Sequence, residues 1–444
     1  MSLSLITSSL KTKLRRGSLF YQLLNELEHT QRLSYQELID IQNQKLRETV
    51  RRAYHTVPYY TRLFDELDLN FEAINTIEDL QLLPIINRSE LQSKVKQFVS
   101  KRFGLKTKAN TSGTTGSPIV LSRDLYSINL EHASIWRQRR WAGVDLGEPI
   151  ASLRGDAVVS PDTDCPPFWK YVPAENRWLM SSFHLSDRFI PYYLEHLRSC
   201  EISAIEGYPS TIYRLACYMR DYRQEPIPVK AVFTSSEVLP NYRQQLIEKY
   251  FGKIFDHYGQ SERVAHIAMC EHGNHHYIMD YSIIEFLPTE YSDLFKVVGT
   301  TLHNAAMPLI RYDTNDTVRM SHRSCPCGRA FPVVDSIDGR LEDYITTASG
   351  KFIGGITVVF DDIANIIEAQ VIQEQIDLIR VLIVPTEKFS DKDRDMLLRN
   401  MRSRLGDDIK IVFQKVDSIA RTKSGKFNSV VSKVKSSDMQ MSSN

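Results

Sequence analysis

Apolar positions near the start of the chain recur at helical spacing. Leu46, Val50, Ala53 and Val57 follow the stretch Ser34-Tyr35-Gln36-Glu37, and Pro58 interrupts the pattern. A serine with a glutamate three residues on satisfies the first helical N–H groups reciprocally, so the pattern predicts an amphipathic helix closing near Pro58. From about residue 100 to 335 the rhythm changes. Short apolar runs, AVF at 231 and VVGTTL at 297, alternate with helical patterns such as Pro209 to Met219. Such alternation predicts an α/β architecture with mainly parallel strands.

Past residue 340 the order is a loop, a buried strand at Leu378 to Val384, a helix from Ser390 with Asp393 as its capping partner, and a strand at Ile409 to Val416. This reads as a compact βαβ-like unit with its own core. A break near Asp338-Gly339-Arg340 is therefore expected between a large domain, 1–340, with a helical region over about 1–100, and a small one, 341–444.

Composition narrows the functional classes. A chain of 444 residues exceeds what one core usually organises, which supports two domains. Lys+Arg at 55 against Asp+Glu at 54 leaves a net charge of +1, with no basic footprint for nucleic acid, so small molecules or specific proteins are the expected partners. No apolar run reaches the roughly 20 residues of a membrane span. The opening MSLSLITSSLKTKLRRG sets its basic cluster after a short apolar piece, the wrong order for a secretory signal. A solvated helical start is favoured there over a membrane-surface contact through Lys11, Lys13, Arg15 and Arg16. Six cysteines in a long chain without a recognisable leader argue for reduced thiols in the cytoplasm.

Chemistry enters with ANTSGTTGSPIV at 109–120. Glycines let a backbone turn its N–H groups inward, and hydroxyls add short donors, so Thr111-Ser112-Gly113-Thr114-Thr115-Gly116 can wrap phosphate oxygens. The Gly-Lys-Ser/Thr ending of a Walker loop is absent, which argues against a common phosphotransferase or ATPase. Alone, a loop of this composition is more often an ordinary flexible turn.

Further stretches follow it in a particular order. Ser235-Ser236-Glu237 comes after an apolar strand, as does His257-Tyr258-Gly259-Gln260-Ser261-Glu262. Arg311-Tyr312-Asp313-Thr314-Asn315-Asp316, Gly339-Arg340-Leu341-Glu342-Asp343 and Arg421-Thr422-Lys423-Ser424-Gly425-Lys426 complete the series. Taken singly, Asp316 is a turn residue, Glu262 a surface charge and Lys426 part of a basic tail. In this order they resemble the adenylate-forming superfamily of acyl-CoA synthetases, luciferases and nonribosomal-peptide adenylation domains. TSGTTGSP, EGYPSTIYRLA at 206–216, the SSE triplet and CPCGR at 325–329 are most similar to the phenylacetate-CoA ligase and CapK-like branch.

The resemblance implies a large N-terminal domain of α/β sheets with a β-barrel-like part and a small mobile C-terminal α+β domain. It implies activation of a carboxylic acid by ATP to an acyl-adenylate, then transfer to coenzyme A or another nucleophile. The loop Thr111 to Gly116 would grip the β- and γ-phosphates. Glu262 would ligate Mg²⁺, Ser261 would touch the α-phosphate, and Tyr258 and Gly259 with Ser236 and Glu237 would flank the adenine and the acyl pocket. Asp316 would accept from the ribose hydroxyls, and Arg340 would lie near the ribose or phosphates. Lys426 would bridge the substrate carboxylate and the α-phosphate, with Glu342 as the hinge. A homodimer is also implied, although no residue requires it.

A second constellation concerns metal. Cys325-Pro326-Cys327 supplies two thiolates, and Cys270-Glu271-His272-Gly273-Asn274-His275-His276 one cysteine and three histidines, the donors of a closed tetrahedral zinc site. His276 is the preferred fourth ligand, with His272 and His275 as alternatives and a set of ordinary buried thiols as the bland reading. A full Cys₃His set leaves no open position, so the zinc is read as structural.

Two departures stand out. Ser117 occupies a position where many relatives carry Lys or Arg, removing one positive contact to pyrophosphate. YITTASGKFIGG at 344–355 replaces the glycine-rich stretch that meets coenzyme A in phenylacetate-CoA ligases. The acceptor is therefore open between coenzyme A and an amine or sugar, as in CapK-like amide or ester formation. Trp136, Trp141, Trp169, Tyr208 and Phe233 are candidates for an aromatic acyl pocket, although residues of this kind are more often plain core. A non-catalytic zinc-stabilised nucleotide-binding module is the remaining class.

Overall fold

The computed structural model describes residues 16–102, 104, 106–111, 118–160, 162–289, 293–321, 323–340, 344–347, 352–353, 356–360, 363, 365–422 and 425–434. The chain forms two compact units. The first comprises Met1–Ile150, Tyr171–Trp178 and Phe255–Ile337; the second comprises Ala151–Lys170, Leu179–Ile254 and Asp338–Asn444. The segment Asp338–Asn444 thus shares a unit with residues 151–170 and 179–254.

In the first unit the N-terminal helix runs Tyr35–Thr56. Glu37 N–H donates to the Ser34 hydroxyl, and the Ser34 N–H donates to the Glu37 carboxylate at 2.8 Å. Pro58 cannot continue the hydrogen-bond ladder, but its fixed φ suits a first turn, and a new helix Pro58–Glu66 begins on it. Leu46, Val50, Ala53 and Val57 are all but fully buried in a core shared with Ile86, Ile119, Leu121 and Tyr312. Packing there seats the N-terminal helices against the strands that carry the ordered motifs.

Those strands are antiparallel. Ile254–Gly259 pairs with His266–Met269, which pairs with His275–Tyr277; Phe295–Thr301 lies between Ser282–Pro288 and Tyr312–Met320. Mainly parallel strands had been expected across this stretch. Connections of a few residues, such as that from Met269 to His275, can join only antiparallel neighbours, since a parallel pair needs a crossover of a dozen residues or more. Parallel pairing occurs in the second unit, where Ala204–Gly207 and Ala231–Ser235 are joined through the helix Pro209–Asp221.

In the C-terminal part of that unit, Leu378–Pro385 pairs in parallel with Lys410–Lys415 across the helix Asp391–Leu405, capped by Ser390 and Asp393 as the sequence suggests. Ile366–Gln375 and Val430–Ser432 complete a four-stranded sheet. Arg16 lies over the Trp136 ring at 5.0 Å, whereas Lys11, Lys13 and Arg15 lie outside the described residues. Among the described residues no helix is long and apolar enough to cross a membrane. The six cysteines form no disulfide.

Candidate active site and metal centre

The predicted site residues fall into two sets, one in each unit. In the first unit, Thr107–Asn110 pairs antiparallel with Val120–Arg123, the two strands that flank the hydroxyl-rich segment in sequence. Thr111 continues the pairing: its N–H donates to the Ile119 carbonyl and its hydroxyl accepts from the Ile119 N–H, each at 3.0 Å. Ser112, Gly113, Thr114, Thr115, Gly116 and Ser117 lie outside the described residues, as does the hinge Glu342. Arg340 ends the strand Val333–Arg340, with its side chain outside the description.

Glu262 follows the strand Ile254–Gly259, and its side chain is 8 % exposed. The Tyr312 hydroxyl donates to it at 3.2 Å, and the Arg88 guanidinium stands 3.8 Å away while also reaching the Thr111 hydroxyl at 3.4 Å. Arg88 therefore links the first residue of the loop to the carboxylate assigned to Mg²⁺. Its position follows from local rules. Asn87 caps the short helix Arg88–Ser93 by accepting from the Glu90 N–H, and Ile86 is bridged to Arg311 and Asp313 at 2.8 and 2.9 Å. Sequence reading passed over Arg88, although Asn87 with Glu90 three residues on is a helix-start signal that marks it.

Asp316 lies on the strand Tyr312–Met320 and accepts from the Tyr258 hydroxyl at 2.7 Å. Burial and the adjacent Asp316 charge push the Tyr258 phenol well above its ordinary range, so it stays a donor. The Ser261 carbonyl accepts from Arg123 at 2.6 Å, and burial brings that guanidinium down to about 10. Arg263 and Asn315 hold positive φ at 57° and 61°. Left-handed backbone at non-glycine residues persists only where surrounding contacts impose it, and such positions cluster at working sites. Arg263 donates to the Ser127 carbonyl at 2.7 Å, and Asn315 N–H to Asp313 at 2.8 Å.

In the second unit, Ser236 also has positive φ, 73°, at the end of the strand Ala231–Ser235. Glu237 beside it accepts from the Ser210 N–H and hydroxyl, both at 3.0 Å, and from the Phe427 N–H at 2.6 Å. The Lys426 carbonyl accepts from the Thr422 N–H at 3.0 Å. Of the aromatic candidates, Trp136 packs between Arg16 and Arg139, and Trp141 stacks with Arg329 and donates to Gln31 at 2.6 Å. Trp169 stacks on His196 at 4.2 Å, and Tyr208 and Phe233 are buried.

The cysteine and histidine runs meet in the first unit. Donor atoms of Cys270, His276, Cys325 and Cys327 all lie within 4.8 Å of one another. Cys270 Sγ is 3.6 Å from Cys325 Sγ, and Cys327 Sγ is 3.5 Å from His276 Nε2. His276 Nδ1 contacts the Phe331 carbonyl at 2.8 Å, which fixes the ring with Nε2 toward the thiols. The His272 N–H and the Asn274 side chain donate to Cys270 and Cys325 sulfur at 3.3 and 3.2 Å, support that suits thiolates. His275 faces Asp256 instead, 3.6 Å away. Alternation along the strand His275–Tyr277 sends the two neighbouring rings to opposite faces, and His276 is the one that joins the cysteines. The residues fit a tetrahedral zinc ion.

Architecture and motif placement together define the adenylate-forming fold. A solved 2-hydroxyisobutyryl-CoA ligase, in the postadenylation state with an acyl-AMP, matches with a TM-score of 0.70 at 16 % identity over 92 % of each chain. The same ligase in an open conformation with coenzyme A present matches at 0.54.

Protein CapK of Staphylococcus aureus is 23 % identical over 90 % of both chains, and a phenylacetate-coenzyme A ligase of Thermus thermophilus is 24 % identical over 70 % of this chain and 72 % of its own. Residues 345–433 match the CapK C-terminal domain. In sequence the chain is therefore similar to CapK and to the phenylacetate-CoA ligases, and in fold to a solved adenylate-forming CoA ligase.

Proposed function

We propose that the protein is an AMP-forming acid ligase, converting a carboxylic acid and ATP to an acyl-adenylate and pyrophosphate and then passing the acyl group to a nucleophile. The observation that supports the reading is the Tyr258–Asp316 pair together with Glu262 between Tyr312 and Arg88.

Asp316 has the geometry to accept from two ribose hydroxyls while Tyr258 holds it in place. Glu262 would hold Mg²⁺, a hard cation suited to a carboxylate shared with phosphates. Arg88 stands where a cation is wanted, because Ser117 contributes none to the loop. Lys426 neutralises charge that builds on the α-phosphate during attack by the acid. The strand pair beside Thr111 presents the loop to pyrophosphate, which departs as the acyl–phosphate bond forms. Arg340 and the hinge at Glu342 keep the roles the resemblance gives them, and the small domain 341–444 carries Lys426 between half-reactions.

Relatives of both kinds, CapK and the CoA ligases, leave two acceptors. The departure at 344–355 favours an amine or sugar, whereas the CoA-ligase relatives favour coenzyme A. We further propose that Cys270, His276, Cys325 and Cys327 hold structural zinc, which would pin two loops and take no part in the chemistry.

The test is incubation of the full chain with ATP, Mg²⁺, hydroxylamine and a panel of acids. Acid-dependent pyrophosphate and AMP are expected, with hydroxamate as the trapped product; ADP in place of AMP would overturn the reaction class. Lys426→Ala should lower adenylation by about 10²-fold or more. Coenzyme A and amines are then compared as acceptors.

A further inference from the structure

The carboxylate of Glu237 does more than cap a helix. Oε2 accepts from the Ser210 N–H in the first turn of the helix Pro209–Asp221, where the helix dipole favours a negative charge. Oε1 accepts from the Ser210 hydroxyl and also from the Phe427 N–H at 2.6 Å, the amide directly after Lys426. Capping explains the first bond and leaves the last unexplained.

Three other contacts converge on the same segment. The Phe427 ring is 4 % exposed and lies under two guanidinium groups, Arg421 at 4.6 Å and Arg243 at 5.1 Å. Arg421 also donates to the Ser210 hydroxyl at 3.3 Å and pairs with Glu368. Gly425, at φ 77°, approaches so closely that an added Cβ would stand 2.9 Å from the Gly155 Cα. Only glycine tolerates both that conformation and that approach.

We propose that Glu237 is a positioning residue for the adenylation step: its carboxylate seats the Phe427 amide on the start of the 209–221 helix and thereby fixes the backbone from which Lys426 extends. Both oxygens are engaged by this work, which sets Glu237 apart from the adenine- or acyl-contacting role that its motif suggests. The inference rests on the reading of Lys426 as the residue acting on the α-phosphate. It also implies that the Phe427 amide leaves Glu237 whenever Lys426 is withdrawn, so the carboxylate acts as a latch between half-reactions.

Limited trypsinolysis of the full chain tests the latch without reference to activity, because Arg421 and Lys426 are themselves cleavage sites. Glu237→Ala should speed cleavage after Lys426 by about tenfold or more while other sites keep their rates, and Glu237→Gln, which retains one acceptor, should fall between. Unchanged protection in both variants, or equal acceleration across the whole chain, would overturn the proposal. In acid-dependent pyrophosphate exchange, Glu237→Ala should lower kcat by about 10- to 100-fold with KM for ATP nearly constant, the split expected of misplacement; a rise in KM with kcat unchanged would instead assign Glu237 to nucleotide binding. If Lys426→Ala keeps full exchange while Glu237→Ala loosens this segment, the latch stands and the reading of Lys426 falls.

Discussion

The Tyr258 hydroxyl and Asp316 Oδ2 are 2.7 Å apart, joining the end of one motif strand to the middle of another. A charge-assisted bond of this kind contributes about 1.5–3 kcal/mol, and it orients the carboxylate before nucleotide arrives. Tyr258→Phe should raise KM for ATP by about tenfold with a smaller effect on kcat, and Asp316→Ala should do more. Steady-state kinetics with varied ATP checks both; an unchanged KM in Asp316→Ala would remove the ribose assignment.

Glu262 and Arg88 should differ in what they depend on. Glu262→Gln keeps the shape but loses the charge, so pyrophosphate exchange should fall by about 10²-fold and require more Mg²⁺ for half-maximal rate. Arg88→Ala should weaken ATP by about 10-fold and leave AMP binding nearly unaltered, because its place beside Thr111 points to the outer phosphates. Titration of each variant with ATP and AMP separates the two effects.

Metal analysis of the purified chain should find one zinc per chain. Cys325→Ser should lose it and lower the thermal midpoint, since ligand binding to the native state contributes to folding free energy. A strong chelator should shift the wild type to the same midpoint. Wild-type and Cys325→Ser chains that match in both metal content and midpoint would return the cluster to ordinary thiols.

Acid should destabilise the first unit through two buried imidazoles. Burial lowers both His266 and His303 to about 3. Close by, burial pulls the Glu131 carboxyl up, but Arg263 and His266 outweigh it and hold it down to about 2. Between about pH 3 and 6.5 the unfolded chain binds more protons at the histidines than the folded one, so stability rises with pH across that window. Each histidine contributes a slope of up to about 1.4 kcal/mol per pH unit. His303→Gln should flatten the dependence of the thermal midpoint between pH 5 and 7. A slope equal to that of the wild type would show that His303 is already charged in the folded chain.

Local chemistry made several elements readable from residues alone. Ser34 with Glu37, and Ser390 with Asp393, announce their helices because a capping box acts over three residues and needs no distant partner. The ordered motifs were legible for a similar reason: each is a short segment whose residue types suit phosphate, ribose or a cation, and their order along the chain carries the resemblance. The cysteine and histidine runs named candidate metal donors but left three histidines open.

Tertiary structure decided what depends on residues far apart in the chain. Strand direction across 254–337 followed from which short strands pair, and periodicity does not encode that choice. His276 rather than His272 or His275 joined the thiols because pairing of the strand His275–Tyr277 fixed which face each ring occupies. Arg88 reached Glu262 across the fold through the bridge at Ile86, and Glu237 met Phe427 although 190 positions separate them. Residue types set what each group could do, and packing of distant segments settled which groups met.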